Sequence, residues 1–156
     1  VAIHSPSNDS VLPEHVATDA VLRGFFGYRL KRAYNTIRSD LMHVLEPMGL
    51  RITTFSTLLL IVDHPGLRQS ALAQILEMKR SNMVAIIDDL EHKGWIKREP
   101  APEDRRAFAL FATDVGLRTH TKAVALVRDH DMKRLECLTE EEQASLASLL
   151  EKIESY

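Results

Sequence analysis

Apolar positions fall into helical spacing along most of the chain and into strand spacing at one place. From residue 19 to residue 45 they recur as Leu22, Phe25, Phe26, Leu30, Ala33, Tyr34, Ile37, Leu41, Val44 and Leu45. Steps of three and four put them on one face of a long helix. Asp19 stands where a cap would, and Pro47 and Gly49 end the run. About 27 residues is long for a helix of a small domain, so part of it is expected to pack across a dimer interface. A second helix is expected over 53–62, capped by Thr53 or Thr54, with Phe55, Leu58, Leu59, Ile61 and Val62 inside. His64, Pro65 and Gly66 stop it. A third, short helix covers 69–76. Met78 and Lys79 make a turn, and Ser81 caps a fourth helix that reaches Lys93 and stops at Gly94. In that helix Met83, Ile87 and Leu90 form a stripe flanked by Val84 and Ile86, with Asn82, Ala85, Asp89 and His92 opposite.

The pattern then changes. Residues 95–99 read as a strand, Pro100 and Pro102 open a loop carrying Glu103, Asp104, Arg105 and Arg106, and 107–112 return as a second strand. Thr113 caps a fifth helix running to about Leu138 despite Gly116 in its first turn, with Val115, Val124, Val127 and Leu135 on its buried side. Thr139 to Glu142 is a capping box that starts a sixth helix, expected to bury Leu146, Leu149, Leu150 and Ile153. Residues 1–18 are polar with Pro6 and Pro13 and read as an arm without regular structure. The predicted fold is mainly α with a small β-hairpin wing. A winged helix-turn-helix spans 47–113, and dimerisation helices lie over 19–46 and 114–156.

A chain of 156 residues with 45% hydrophobic and 27% charged residues is an ordinary globular composition. No apolar run approaches the roughly 18 residues that span a bilayer, so no membrane partner is expected. No basic stretch followed by an apolar one opens the sequence, so no secretory signal is expected. The lone Cys137 excludes an intramolecular disulfide and fits a cytoplasmic protein. Redox sensing is an alternative use of it, although Glu136, Glu140 and Glu141 oppose a thiolate there. The seven histidines form no His-x-x-x-His pair and no cluster with cysteine, and neither a Gly-rich phosphate loop nor a Gly-x-Ser-x-Gly is present. Neither an enzyme nor a metal site nor a bound cofactor is expected.

The net charge of -2 is unremarkable, but the charges are segregated. Lys79, Arg80, Lys93, Lys97, Arg98, Arg105 and Arg106 lie in the central stretch, while six glutamates load the end of the chain. Distribution rather than sum decides binding to a polyanion. The start of the fourth helix carries Lys79, Arg80, Ser81 and Asn82, at an end with partial positive charge and free N–H groups. Arg80 suits a bidentate contact to guanine and Asn82 one to adenine. The same residues also suit a solvated helix end. Paired with a hairpin bearing Arg105 and Arg106, and Asp104 to hold an arginine in place, they point to double-stranded DNA, with the hairpin in the minor groove. A helix-turn-helix used only for protein contact is the competing reading.

Asp104, Arg105 and Arg106 followed by Thr113 resemble the wing signature of the MarR (multiple antibiotic resistance regulator) family of bacterial transcription factors, with Ala112 where a leucine is usual. Residues 90–98, Leu-Glu-His-Lys-Gly-Trp-Ile-Lys-Arg, are similar to another segment of that family, with Trp95 in place of leucine. The resemblance covers about 22–153. It implies an interleaved two-fold homodimer, a pseudo-palindromic operator, repression, and release by a small aromatic ligand. Carried onto this sequence, it implies that Arg106 is the wing arginine and Asp104 its partner. Gln69 and Ser70 then touch phosphate, and Arg80, Ser81 and Asn82 enter the groove. Asp89 departs from the arginine common in relatives, which puts a phosphate contact there in doubt. A narrower similarity, over residues 27–33, is to members controlling catabolism of hydroxycinnamic acids and related aromatics. It implies an aromatic acid or its acyl-coenzyme A thioester as effector. Arg29 and Arg32 would meet the phosphates, and Phe26, Tyr28 and Phe55 would line the ring slot.

Overall fold

The computed structural model describes residues 18–101 and 104–155, with the side chains of 101 and 104–107 left aside. The expected arm, but for its last residue, and the wing-loop residues Pro102 and Glu103 lie outside the described residues. Contacts divide the chain into two units, 1–35 and 36–156.

The first unit does not start as one long helix. A short 3-10 turn occupies Leu22–Gly24, Phe25 is extended, and α1 begins only at Phe26, running Phe26–Leu45 into the second unit. Two glycines, Gly24 and Gly27, flank the break, and glycine is a poor helix former. Asp19 does not cap a helix either. Its carboxylate accepts from Arg23 Nε at 2.8 Å and from Tyr28 Oη at 2.8 Å. The Arg23 bond first, then the Tyr28 bond, holds the Asp19 carboxyl below its usual value. Leu22, Phe25, Phe26, Leu30 and Tyr34 all face solvent in the protomer.

In the second unit α2 spans Ile52–Asp63, β1 Leu67–Arg68, α3 Gln69–Ile75, α4 Arg80–His92, β2 Ile96–Ala101, β3 Asp104–Ala112, α5 Asp114–Arg134 and α6 Glu140–Glu154. The start of α2 is held by Thr54 rather than capped by it: Thr54 Oγ1, inside the first turn, accepts from Arg51 N–H at 2.8 Å. The strands form an antiparallel sheet in the order β1-β3-β2. The two residues of β1 pair Leu67 with Leu110 and Arg68 with Ala109; a strand that short leaves no alternation to read. Leu58, Ile61, Leu72, Met83, Ile87, Leu90, Ile96 and Leu110 make one core, and Leu45, Leu50 and Ala123 a smaller one with Phe55 against it. Trp95 packs on both.

Helix α5 ends at Arg134, four residues short of the expected Leu138. A turn follows, in which Gln143 Nε2 donates to the carbonyls of Leu135 and Leu138, both at 3.1 Å. The capping box that opens α6 is present: Thr139 Oγ1 accepts from Glu142 N, and Glu142 accepts from Thr139 N at 2.9 Å. The apolar stripe of α6 is not buried in the protomer, where Leu146, Leu149, Leu150 and Ile153 are all exposed.

Candidate nucleic-acid interface

Three buried side chains orient α4. Met83, Ile87 and Leu90 are fully enclosed against α2, α3 and the sheet. At helical spacing, fixing that face fixes the opposite one, so Arg80, Ser81, Asn82 and Ala85 face solvent. The turn before α4 is tight. Glu77 takes a left-handed conformation (φ 50°), and Met78 N–H returns to Ala73 C=O at 2.8 Å. Helix α4 therefore starts earlier than expected. Lys79 is the N-cap and Ser81 the second helical residue, and no side chain caps the end. Ser81 as cap is corrected accordingly. Lys79, Arg80, Ser81 and Asn82 stand exposed together there, with helical N–H groups that no side chain satisfies. At the start of α3, Gln69 is half-buried and Ser70 exposed.

The hairpin is longer than expected. Strand β3 begins at Asp104, so the backbone of Asp104, Arg105 and Arg106 is strand rather than loop. Ala101 pairs with Asp104 after a register shift at Pro100/Ala101. Pro100 itself lies in β2 opposite Phe108; β2 is an edge strand, where a missing N–H is tolerated. The side chains of Asp104, Arg105 and Arg106, and the ion pair expected among them, lie outside the described residues.

Contacts that sequence reasoning left unassigned lock the hairpin to the helix. Arg98 on β2 donates from Nη1 to Glu91 Oε2 at 2.7 Å and also bonds Asp88, both on α4. Spacings of seven and ten residues across a turn give no periodic signal. Lys93 closes the other end of α4. It donates to Asp89 Oδ2 at 2.7 Å and Gly49 C=O at 2.9 Å, and lies 5.1 Å from the Trp95 ring centroid. Asp89 thus serves Lys93. Thr113 joins hairpin and α5: its N–H donates to Trp95 C=O at 2.9 Å, its hydroxyl donates to Gly94 C=O at 2.6 Å and accepts from Gly116 N–H at 3.1 Å.

The expected effector residues are distributed over both units. Phe26 is exposed, and Tyr28 is half-buried by its bond to Asp19. Arg29 donates to Arg23 C=O, and Arg32 lies 3.7 Å from the Asp19 carboxylate. Phe55, in the second unit, is packed on Leu45, Leu50 and Ala123, which accounts for it as core. Among the described residues no His, Cys, Asp and Glu side chains group as metal ligands, and no single helix is long and apolar enough to cross a membrane.

Comparison with known proteins places this arrangement. Residues 50–108 match the model of the MarR family. A solved structure described as the transcriptional repressor CouR bound to a 23-mer DNA duplex superposes with a TM-score of 0.83 at 36% identity, covering 88% of this chain and 97% of that one. CouR bound to p-coumaroyl-CoA gives 0.79 at 34%, covering 87% and 96%. A putative transcriptional regulatory protein for the hcr operon of Thauera aromatica is 29% identical over 133 residues, 85% of this chain and 80% of that protein. A winged helix-turn-helix with this element order, matched over nearly its whole length at that identity, makes the chain a member of the MarR family of transcriptional regulators.

Proposed function

We propose that the chain represses transcription by binding a pseudo-palindromic operator as an interleaved homodimer, and that a small aromatic effector releases it. The observation that carries this reading is the first turn of α4. Four polar residues, Lys79 to Asn82, stand exposed on a helix end that no side chain caps, while three buried residues hold the opposite face. Such an end takes phosphate and reaches base edges in the major groove. Gln69 and Ser70 add phosphate contacts, Arg80 and Asn82 read bases, and Asp104, Arg105 and Arg106 on the hairpin enter the minor groove. Residues 47–113 form the reading lobe. Residues 19–46 and 114–156 are the dimerisation helices, and the exposed Leu146, Leu149, Leu150 and Ile153 of α6 are the surface a second copy covers. One lobe reads half an operator, and its twin reads the other half about one DNA turn away. Such work belongs in the cytoplasm.

The similarity to CouR, bound in one structure to DNA and in another to p-coumaroyl-CoA, supports an aromatic acid or its coenzyme A thioester as effector. It also supports a role in aromatic compound catabolism. Phe26, Tyr28, Arg29, Arg32 and Phe55 are the effector residues proposed from sequence.

The test begins with duplexes enriched by the protein from a random-sequence library, followed by fluorescence anisotropy between 50 and 200 mM salt. Affinity should fall along a log–log slope of about -0.9 per phosphate neutralised. Arg106→Ala should weaken binding by roughly tenfold with the dimer intact. A module that only contacts protein enriches no sequence and shows no such slope.

A further inference from the structure

Helix α4 carries two apolar side chains that the core does not take up. Its buried stripe of Met83, Ile87 and Leu90 is flanked by Ile86, which packs against the core, and by Val84, which is 41% exposed. Ala85 beside it is exposed as well. Residues four apart on a helix are neighbours on one face, so Val84 follows Arg80 and Ala85 follows Ser81. Val84 also stands on the flank nearest the hairpin. Asp88 and Glu91, four and seven residues further along the same flank, are the residues that hold Arg98 of β2. The isopropyl group of Val84 therefore continues the exposed polar end of α4 toward the wing. Helix formation does not call for valine there. It is β-branched and a weaker helix former than alanine, and in the protomer it is not enclosed.

The major groove presents hydrogen-bond donors and acceptors on every base pair, and one apolar group, the C5-methyl of thymine. We infer that Val84 is a specificity-determining residue that reads this methyl group, with the small side chain of Ala85 letting the helix approach the base edges closely. Four residues at a rise of 1.5 Å place Val84 about 6 Å along α4 from Arg80, and successive base pairs are stacked about 3.4 Å apart. The thymine therefore lies within about two base pairs of the guanine that Arg80 reads. The inference rests on the DNA-binding reading above. It adds the base feature that the hydrogen-bonding residues at the helix start leave unread.

The probe is the duplex that the full-length protein enriches from a random-sequence library. Each thymine of one half-site is replaced in turn by deoxyuridine, which keeps every hydrogen-bonding group and lacks only the C5-methyl. Fluorescence anisotropy should find a thymine whose replacement weakens binding about fourfold, the effect of about one methyl group taken out of water. Val84→Ala should bind the thymine and deoxyuridine duplexes alike, about as weakly as the parent binds the deoxyuridine duplex. Val84→Ile, which keeps the branched side chain, should retain the preference. Thermal stability of Val84→Ala should not fall, since alanine is the better helix former, and its salt slope should match the parent's, since no phosphate contact is lost. A half-site in which no thymine responds to loss of its methyl overturns the inference. So does a deoxyuridine penalty that persists in full in Val84→Ala, which assigns the methyl to another side chain or to the shape of the DNA. An equal loss on every duplex with a lowered Tm overturns it too, and makes Val84 a support of the helix. Failure to enrich any duplex removes the DNA-binding reading itself. An enriched, salt-sensitive duplex that is indifferent to deoxyuridine defeats this inference alone.

Discussion

Gly116 tests how closely α5 is seated against the Trp95 backbone. A Cβ built on Gly116 would lie 1.9 Å from the Trp95 carbonyl oxygen and 2.8 Å from its carbon. Real Cβ contacts begin near 3.0 Å, so Gly116→Ala must push α5 and the Trp95 backbone apart by about 1.1 Å, the difference between 3.0 and 1.9. The obstacle is backbone and cannot rotate away. It is also the acceptor for Thr113 N–H, so the same displacement stretches that bond. Overpacking of this kind costs about 1–3 kcal/mol and the strained bond about 1 kcal/mol, against about 1 kcal/mol that alanine adds to a helix. The net expectation is a loss of about 1–3 kcal/mol, or roughly 2–12 °C in Tm for a chain of this length. Thermal unfolding at fixed protein concentration measures it, since the stability of a dimer depends on concentration. Gly27→Ala on α1 is the matched control, because its added methyl meets nothing within 4 Å. It should gain up to about 1 kcal/mol. A Gly116→Ala variant as stable as its parent refutes the seating argument. A loss at Gly27 means that a second surface packs there.

Other expectations follow from particular contacts. Met83→Ala should lose about 2–5 kcal/mol in urea unfolding, as the side chain is fully buried beneath the reading face. Asn82→Ala should flatten base preference in a binding-site selection more than it weakens non-specific affinity; a uniform loss would make Asn82 a phosphate contact. Arg98→Ala frees the hairpin from Glu91 and Asp88 and should reduce operator affinity several-fold with little change in Tm; unchanged affinity would mean that the wing needs no such anchor. Asp19 titrates below its usual value because Arg23 and Tyr28 bond its charged form. Its support of the first unit is therefore complete above a pH of about 3.8 and is lost as pH falls through the lower folded-state value. Amide NMR signals of Arg23 and Tyr28 followed in acid report the change, and Asp19→Asn should remove it.

The parts of this fold that were legible in sequence are those with a repeating or chemically marked signal. The stripe of Met83, Ile87 and Leu90 recurs at helical spacing, and all three side chains are fully buried. Thr113 and the box at Thr139 mark helix starts by chemistry alone, and both make their expected bonds. Periodicity was misleading where it ran through a break. Leu22, Phe25 and Phe26 keep helical spacing across Phe25, although the backbone there is extended. Ser81 has a capping side chain, but α4 begins at Arg80, directly after the turn that Met78 N–H closes on Ala73 C=O. The prolines suggested a loop from residue 100, yet an edge strand accommodates Pro100. At the candidate interface, residue types identified the exposed groups. The ties that orient them, Arg98 to Glu91 and Lys93 to Gly49, join residues with no fixed spacing and appear only in three dimensions.

Trp95 is the single tryptophan of the chain and touches both cores, beneath the Lys93 ammonium. The molecule therefore carries its own optical gauge at the seam between the two cores. If the effector proposed above shifts one core against the other, the polarity and charge around the indole change and its emission shifts. An effector that only obstructs DNA leaves the spectrum as it was. Two modes of derepression can thus be told apart in an unlabelled cuvette sample.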